Sequence, residues 1–234
     1  MQLDHAHAPR FDTATTTLAT LDASSRMDRI YRYQRHFYDL TRPLFLFGRD
    51  TLLRRMTVRD DDRVLEVGCG TARNLLKLHA LHRSARLYGL DASQAMLSTA
   101  RSNLERRRLE QPVRLEHGLA ERLCHERTFG LDERFDVIFF SYSLSMIPPC
   151  VEAIDAALAS LKPGRSLYLV DFCDQAGFPP LARALLGRWL AWFGVHHRPE
   201  LYAHLERLAA NGRGAWTSEA FGGGYGVFAE FRKA

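Results

Sequence analysis

The sequence predicts an α/β protein built on a Rossmann-like, doubly wound sheet of seven strands, mostly parallel with an antiparallel C-terminal strand. Three observations support this fold class. From Arg63 onward, short apolar runs alternate with helical patterns, which is the order that gives a parallel sheet with helices on both faces. The first run ends in a glycine-rich turn, as strands do at nucleotide sites. After residue 172 the regular alternation of strand and helix patterns ends. A run of alternating apolar and polar residues, "YGVFAEF" (225–231), then follows three glycines.

Each predicted strand is an apolar or alternating run bounded by turn residues. The first, "RVLEVG", has the continuous apolar character of a buried parallel strand. Ser93 is expected to cap one helix, and Pro163-Gly164 to end another. The strands identified in this way are 63–68, 85–91, 112–118, 134–143, 165–172 and 225–231, and the helices are 72–82, 93–108, 149–164, 178–194 and 199–210.

The N-terminal quarter is predicted to form two units ahead of the main domain, which is expected to span residues 61–234. Residues 1–25 are small and polar without an apolar segment, so they are expected to form a flexible tail rather than a secretory signal. Residues 26–60 are expected to form a helical lid. Within them, "YRYQRHFYD" (31–39) would place aromatic side chains on neighbouring faces of one helix.

Composition limits the functional classes. A chain of 234 residues fits one domain with an appendage, and its four cysteines show no paired spacing, which suits a reducing cytosol. No run of about 18 apolar residues is present to span a membrane. The net charge is +5, and arginines crowd the segment 26–59, where they would attract membrane phosphate or nucleic acid.

The turn after the first strand, "EVGCGTARN", carries the first chemical signal. Gly68 and Gly70 let a ligand approach the backbone, and the helix that follows offers free N–H groups. Arg73 occupies the third glycine position of the dinucleotide fingerprint, which argues against a dinucleotide. Asp91 ends the second strand, 21 residues after Gly70, in position for a ribose diol. A ligand with a ribose is therefore expected across the ends of these two strands.

Three segments, "VLEVGCGTARN", "LYGLDAS" and "LKPGRSLYLV", resemble the class I S-adenosylmethionine-dependent methyltransferases over residues 63–172. The resemblance implies S-adenosylmethionine as cofactor and no metal ion. It places the glycine turn under the methionine part, and Asp91 on the ribose. The family often has an acid where Leu119 stands, so the adenine contact would fall to backbone and apolar packing. The cofactor-binding residues that it implies are Glu66, Gly68, Gly70, Asp91, Ala92, Met96, Leu119, Ala120 and Ser141. The alternative is a Rossmann-like turn for another nucleotide.

The segment after the fourth strand, "SYSLSMIPPC", lacks the Asn/Asp-Pro-Pro-aromatic box of amino-type base methylases. Cys150 is interpreted as structural, and Tyr142 as a residue of the reaction centre. Tyr31 and Tyr38 are the other candidate catalytic residues. As part of the lid they would face the sulfonium and a product ammonium, since aromatic rings attract cations. The alternative for the whole stretch is a helix that packs on the sheet, with His36 packing rather than accepting a proton.

A wider stretch, "DRIYRYQRHFYDLTRPLFLFGRDTLLRRM" (28–56), and the tail "GGGYGVFAEF" resemble the bacterial diacylglyceryl-homoserine N-methyltransferases of betaine-lipid synthesis. The resemblance implies three methylations of a lipid headgroup amine, downstream of a homoserine-lipid synthase. It also implies a cytoplasmic enzyme, peripheral at the inner membrane face. Phe45 to Phe47 with nearby arginines, and "GRWLAWFGV" (187–195), would supply the membrane face.

Two alternatives stay open. One is a methyltransferase of another small-molecule amine or of a quinone, because the "YD" start is also similar to quinone-biosynthesis methyltransferases. The other, from a different class, is an RNA-binding module on a methyltransferase-like fold, whose binding would weaken steeply with salt. The main interpretation assigns no nucleic-acid partner, and it leaves the oligomeric state open.

Overall fold

In the computed structural model, which describes residues 45–109 and 112–234, seven strands form a single sheet in the order β3-β2-β1-β4-β5-β7-β6. The first five strands run parallel, and β7 pairs antiparallel with both β5 and β6. The predicted fold class is therefore confirmed. The strands are β1 (Arg63–Val67), β2 (Arg86–Asp91), β3 (Arg114–His117), β4 (Phe135–Ser141), β5 (Leu161–Phe172), β6 (Gly214–Phe221) and β7 (Gly226–Lys233).

Most of the helices predicted from the sequence begin and end close to where its signals place them. Ser93 caps the third helix as predicted, since its hydroxyl accepts a hydrogen bond from the Met96 N–H at 3.3 Å. The helices are α1 (Arg49–Arg55), α2 (Arg73–Leu81), α3 (Gln94–Arg107), α4 (His125–Phe129), α5 (Cys150–Ala159), α6 (Pro180–Trp192) and α7 (Pro199–Ala210), with 3₁₀ turns at Ala120–Arg122 and Leu144–Met146.

Several elements differ from the sequence prediction. Helix α5 ends at Ala159 rather than at residue 164, and Pro163-Gly164, which was predicted to end it, lies within strand β5. Helix α4 was not identified in the sequence. Strand β5 begins at Leu161 rather than at residue 165, because Leu161 pairs with Phe135 across an irregular register next to Gly164. Strand β6 was not identified in the sequence. Its side chains are mostly exposed at the sheet edge, so it lacks an apolar run, and its position depends on pairing with β7 across the glycine turn 222–224.

Except at its β6 edge the sheet is buried on both faces, and two hydrophobic clusters divide the helices between them. One cluster joins the sheet to side chains of α1, α2, α3 and α6, among them Leu52, Leu75 and Leu190. The other contains side chains of α4, α5 and α7, among them Phe129, Ile154 and Leu201. With both faces covered, the carboxyl ends of the parallel strands are where a ligand can reach the sheet.

Residues 1–44 lie outside the described residues, so the tail and most of the lid, with Tyr31 and Tyr38, stay predictions. The described part of the lid segment includes α1, which buries Leu52 and Leu53 against the sheet. Throughout residues 45–109 and 112–234, the helices are too short or too polar to cross a lipid bilayer.

Candidate active site

A cavity of about 530 Å³ opens at the carboxyl ends of β1 and β2, beside the end of β4. The chain reverses strand order here, since β1 has β2 on one side and β4 on the other. Open α/β sheets bind ligands at such a switch point, and the volume lies within the range of small-molecule sites. A larger depression of about 800 Å³ lies between α2 and α3, but no strand-end residue lines it. We therefore take the strand-end cavity as the site.

The glycine turn at the floor of the cavity is held by the loop after β4. Gly68 has φ of +76° and Gly70 has φ of +54°, both in the left-handed region that favours glycine. A Cβ on Gly68 would lie 2.5 Å from the Cβ of Ser143. The Ser143 hydroxyl in turn donates a hydrogen bond to the Val67 carbonyl at 2.9 Å. The first reason for glycine at position 68 is thus close packing within the protein, in addition to any approach by a ligand.

Asp91 lines the cavity with a carboxylate that is already oriented. Its Oδ2 accepts a hydrogen bond from the Gly70 N–H at 2.7 Å, and its Oδ1 accepts one from the Ser93 N–H at 2.9 Å. A carboxylate oxygen has two lone pairs and can accept more than one hydrogen bond. Asp91 can therefore accept hydrogen bonds from a vicinal diol while it fixes the turn beneath the ligand.

Leu119 and five neighbouring positions give the cavity an apolar side. Ala120 and Met96 are buried beneath it, and Glu121 adds a carboxylate next to them. No motif in the sequence marks Glu121, which lies two residues after Leu119, the position where the family often has an acid. A carboxylate here can accept a hydrogen bond from an exocyclic amine. The apolar side is formed by Leu90, Ala92, Met96, Gly118, Leu119 and Ala120.

Glu66 and Ser141, which the resemblance also implies as cofactor ligands, lie outside the set of residues that line the cavity. Glu66 is buried in β1 and accepts a hydrogen bond from the Asn74 side-chain amide at 2.7 Å. This contact fixes α2 to β1 directly behind the glycine turn. Ser141 is buried at the end of β4. Their proposed cofactor contacts stay predictions, whereas the other seven predicted cofactor residues all line the cavity.

Two segments that are distant in sequence complete the lining of the cavity, and we refer to the part that they form as the open end. One is the run Met146 to Pro149 after β4, and the other contributes Gly194, His196 and Arg198 between α6 and α7. The His196 N–H donates a hydrogen bond to the Ser145 carbonyl at 3.1 Å, which joins the two segments. No local sequence signal marks residues 194–198, so the sequence analysis did not find them.

Tyr142 lies behind the cavity rather than in its lining. Its ring packs against Phe172 with centroids 4.7 Å apart, and its hydroxyl donates a hydrogen bond to the Phe47 carbonyl at 2.5 Å. Burial raises the pKa of this phenol above its ordinary value. Tyr225 donates similarly to the Phe45 carbonyl at 2.6 Å, and burial raises its pKa to about 12. Both tyrosines hold the segment 45–47 by its backbone, and a catalytic role for Tyr142 stays a prediction.

A buried acid positions the loop that lines the open end. Asp171 follows the last residue of β5 that pairs with β4, and its carboxylate accepts hydrogen bonds from the N–H groups of Ser145 at 3.0 Å and of Phe172 at 2.8 Å. Burial raises the pKa of Asp171, because desolvation disfavours the charged form more than these hydrogen bonds favour it. Asp171 therefore orients the 3₁₀ turn after β4 from beneath the site.

The described residues contain no cluster of three histidine, cysteine, aspartate or glutamate side chains that could hold a metal ion. The four cysteines are unpaired thiols, and burial raises the pKa of Cys69 in the glycine turn. What the site offers is an oriented carboxylate, an apolar side and an open end with one imidazole. Such a site binds and positions two reactants rather than supplying a nucleophile of its own.

Comparison with known proteins adds to this description. Residues 64–164 match the family model described as a methyltransferase domain. The demethylmenaquinone methyltransferase of Bacillus mycoides is 31% identical over 140 residues, covering 57% of this chain and 56% of that protein. The enzyme of the same name from Anoxybacillus flavithermus is 27% identical over 176 residues, covering 74% of this chain and 68% of that protein. The match thus spans little more than half of the first relative's length.

Solved structures share the fold at low sequence identity. A Thermotoga maritima methyltransferase described as a possible histamine N-methyltransferase superimposes with a TM-score of 0.63 at 18% identity, covering 89% of this chain and all of that one. Phosphoethanolamine N-methyltransferase 2 of Haemonchus contortus, in complex with S-adenosylmethionine, gives a TM-score of 0.62 at 13% identity. The superposition covers 80% of this chain and 52% of that one. The resemblance to lipid amine methyltransferases rests on sequence motifs alone.

Proposed function

We propose that this chain, which carries a class I S-adenosylmethionine-dependent methyltransferase domain, transfers a methyl group to a ring carbon of a demethylmenaquinone-type quinol. The observation that carries the methyl-transfer assignment is the cavity in which Asp91, oriented by Gly70, stands beside an apolar slot. The match of residues 64–164 to a methyltransferase domain supports the same assignment.

The residues present fit the cofactor. The Asp91 carboxylate suits the ribose hydroxyls, the apolar side suits the adenine ring, and Glu121 suits its exocyclic amine. Bound there, S-adenosylmethionine would supply an electrophilic methyl group on a sulfonium. The role of the protein is then to exclude water and to align the acceptor with that methyl group.

The choice of a quinol acceptor is supported by relatives and by the open end of the cavity. The curated relatives cited above are named demethylmenaquinone methyltransferases. Met146, Ile147 and two prolines give the open end an apolar wall that suits a fused ring. His196 stands at the same end, where a neutral imidazole can accept the proton that a quinol ring loses on methylation.

A lipid-borne amine is the second candidate acceptor. It is favoured by the resemblance of residues 28–56 to the betaine-lipid N-methyltransferases. In that reaction Tyr31 and Tyr38 would face the growing ammonium, as the sequence analysis expects.

One assay separates the two acceptors. The purified full chain is incubated with methyl-labelled S-adenosylmethionine and with vesicles that hold either the reduced quinone or a diacylglyceryl-homoserine lipid. Mass spectrometry of the lipid extract should show one labelled methyl group on the quinol. Labelled amine lipid without labelled quinol would establish the second candidate instead. The variant His196→Gln should lower quinol methylation at least about a hundredfold, while the cofactor Kd measured by calorimetry stays unchanged.

A further inference from the structure

Helix α6 carries two apolar faces, and one of them is accounted for by packing. Trp189 and Leu190 pack into the hydrophobic cluster on this side of the sheet, together with Leu186 and with Phe193 just beyond the helix. The ring of Phe45 lies 4.4 Å from that of Trp189. The spacing of these positions is that of a single core-facing stripe. These packing contacts account for the attachment of α6 to the domain.

A second face, centred roughly 110° around the helix from the first, is apolar as well and is exposed to solvent. The exposed fractions are 74% for Leu181, 62% for Leu185 and 73% for Trp192. At 3.6 residues per turn these three positions fall within an arc of about 40°. They form what we call the outer face of α6. Of the five large apolar side chains that are exposed in the described residues, three therefore lie on this one face.

An apolar stripe of this kind on a surface helix indicates a partner, because single exposed apolar residues are ordinary but aligned ones are not. The charges on α6 indicate which partner. Arg188 is exposed and falls within roughly 20° of that arc, whereas Arg183 falls on the other side of the helix. The sequence of the helix, PLARALLGRWLAW, contains no acid. At the same spacing Arg188 falls between the apolar side chains, where its long stem can lie along an apolar phase and its guanidinium can reach phosphate. Apolar anchors with basic neighbours fit an anionic lipid surface.

The helix leads directly into the open end of the cavity. Trp192 is the last residue of α6, and Gly194, His196 and Arg198 all line the cavity. Two residues of extended chain reach at most about 7 Å, so the backbone at Trp192 is within that distance of Gly194. A lipid surface bound by the outer face would therefore lie next to these lining residues.

We propose that the outer face of α6 docks this protein on an anionic lipid surface and so presents the open end of the cavity to an acceptor held in the membrane. The route of the acceptor rests on the proposed function, whereas the docking itself does not. A quinol with a prenyl tail and a lipid amine would both enter by this route.

Vesicle binding tests the docking without cofactor or acceptor. The full chain is floated with vesicles of phosphatidylglycerol and phosphatidylcholine, and separately with phosphatidylcholine alone. The variant Leu181→Gln/Leu185→Gln/Trp192→Gln should lose about tenfold or more of its partition into the anionic vesicles. The matched control is Leu81→Gln, at an exposed leucine that ends α2, which should bind as the unchanged protein does. Circular dichroism melting checks that both variants fold.

Charge is tested by Arg188→Gln, which should weaken binding about fivefold on anionic vesicles and hardly at all on neutral ones. The proposal is overturned if the unchanged protein does not bind vesicles, or if the triple variant binds them equally well. It is also overturned if light scattering shows a dimer that only the triple variant dissociates, because a second copy then covers the face. If the protein binds vesicles but does not methylate the quinol, the proposed function is wrong and the docking proposal still holds.

Discussion

The Asp91 carboxylate accepts a hydrogen bond from the Gly70 N–H at 2.7 Å, which ties the end of β2 to the turn after β1. The two residues are 21 positions apart in sequence, and parallel pairing of their strands brings them together. The same carboxylate that suits a ribose therefore also shapes the backbone on which the ligand rests. Substitutions at this pair should affect binding and stability together.

Replacing Asp91 with alanine should weaken S-adenosylmethionine binding by about tenfold or more, because a hydrogen bond to a charged group contributes roughly 1.5–3 kcal/mol. The structure adds that the melting temperature should fall, since the N–H groups of Gly70 and Ser93 lose their acceptor. Calorimetry gives the Kd. The control is Asp60→Ala, which removes an exposed carboxylate that accepts a hydrogen bond from Ser84 away from the cavity. An unchanged Kd in a folded Asp91 variant would reject the assigned site.

Gly68→Ala should destabilise the protein more than Gly130→Ala does. Both glycines have positive φ, which costs alanine roughly 1–2 kcal/mol. A Cβ at Gly130 meets nothing within 4 Å, whereas one at Gly68 meets Ser143 at 2.5 Å. The added clash should displace the loop after β4 and lower cofactor affinity as well. Chemical denaturation of both variants measures the difference in unfolding free energy, and equal values would contradict the packing described for Gly68.

Tyr142→Phe should lower the unfolding free energy by about 0.5–1.5 kcal/mol, because the Phe47 carbonyl loses its hydrogen-bond donor. Cofactor affinity should stay within twofold, since Tyr142 does not line the cavity. Tyr225→Phe is the matched control, because it removes the equivalent bond to Phe45. A large loss of turnover per cofactor-loaded molecule, seen for Tyr142 and not for Tyr225, would instead support the catalytic role predicted from the sequence.

Asp171 should make stability fall as pH rises through its folded-state pKa. Burial raises that pKa, so the folded state holds a proton that the unfolded state releases. The stabilisation that Asp171 contributes is fully present below the ordinary pKa of an aspartate. It is lost as pH rises above the raised pKa of the folded state. Melting temperatures of the unchanged protein and of Asp171→Asn, followed from pH 3 to 8, should therefore diverge in favour of the variant as pH rises. A constant difference across this range would show that the Asp171 pKa is not raised.

The sequence was sufficient for the five parallel strands, for most of the helices between them and for the glycine turn with its partner acid. These features depend on local sequence, because apolar periodicity determines each helix or strand and left-handed turns require particular residues. The position of Asp91 at a strand end then follows from the rule that parallel strands finish at one edge. For the same reason, seven of the nine predicted cofactor residues line the cavity.

The tertiary structure alone decided which segments complete the open end and which way the side chains behind it point. Gly194, His196 and Arg198 reach the cavity from between α6 and α7, and Tyr142 turns toward Phe47. Strand β6 likewise exists through its pairing with β7. These contacts join residues far apart in the chain, and their energies come from packing and desolvation rather than from local conformational preference. A sequence pattern, which records only local preference, therefore cannot specify them.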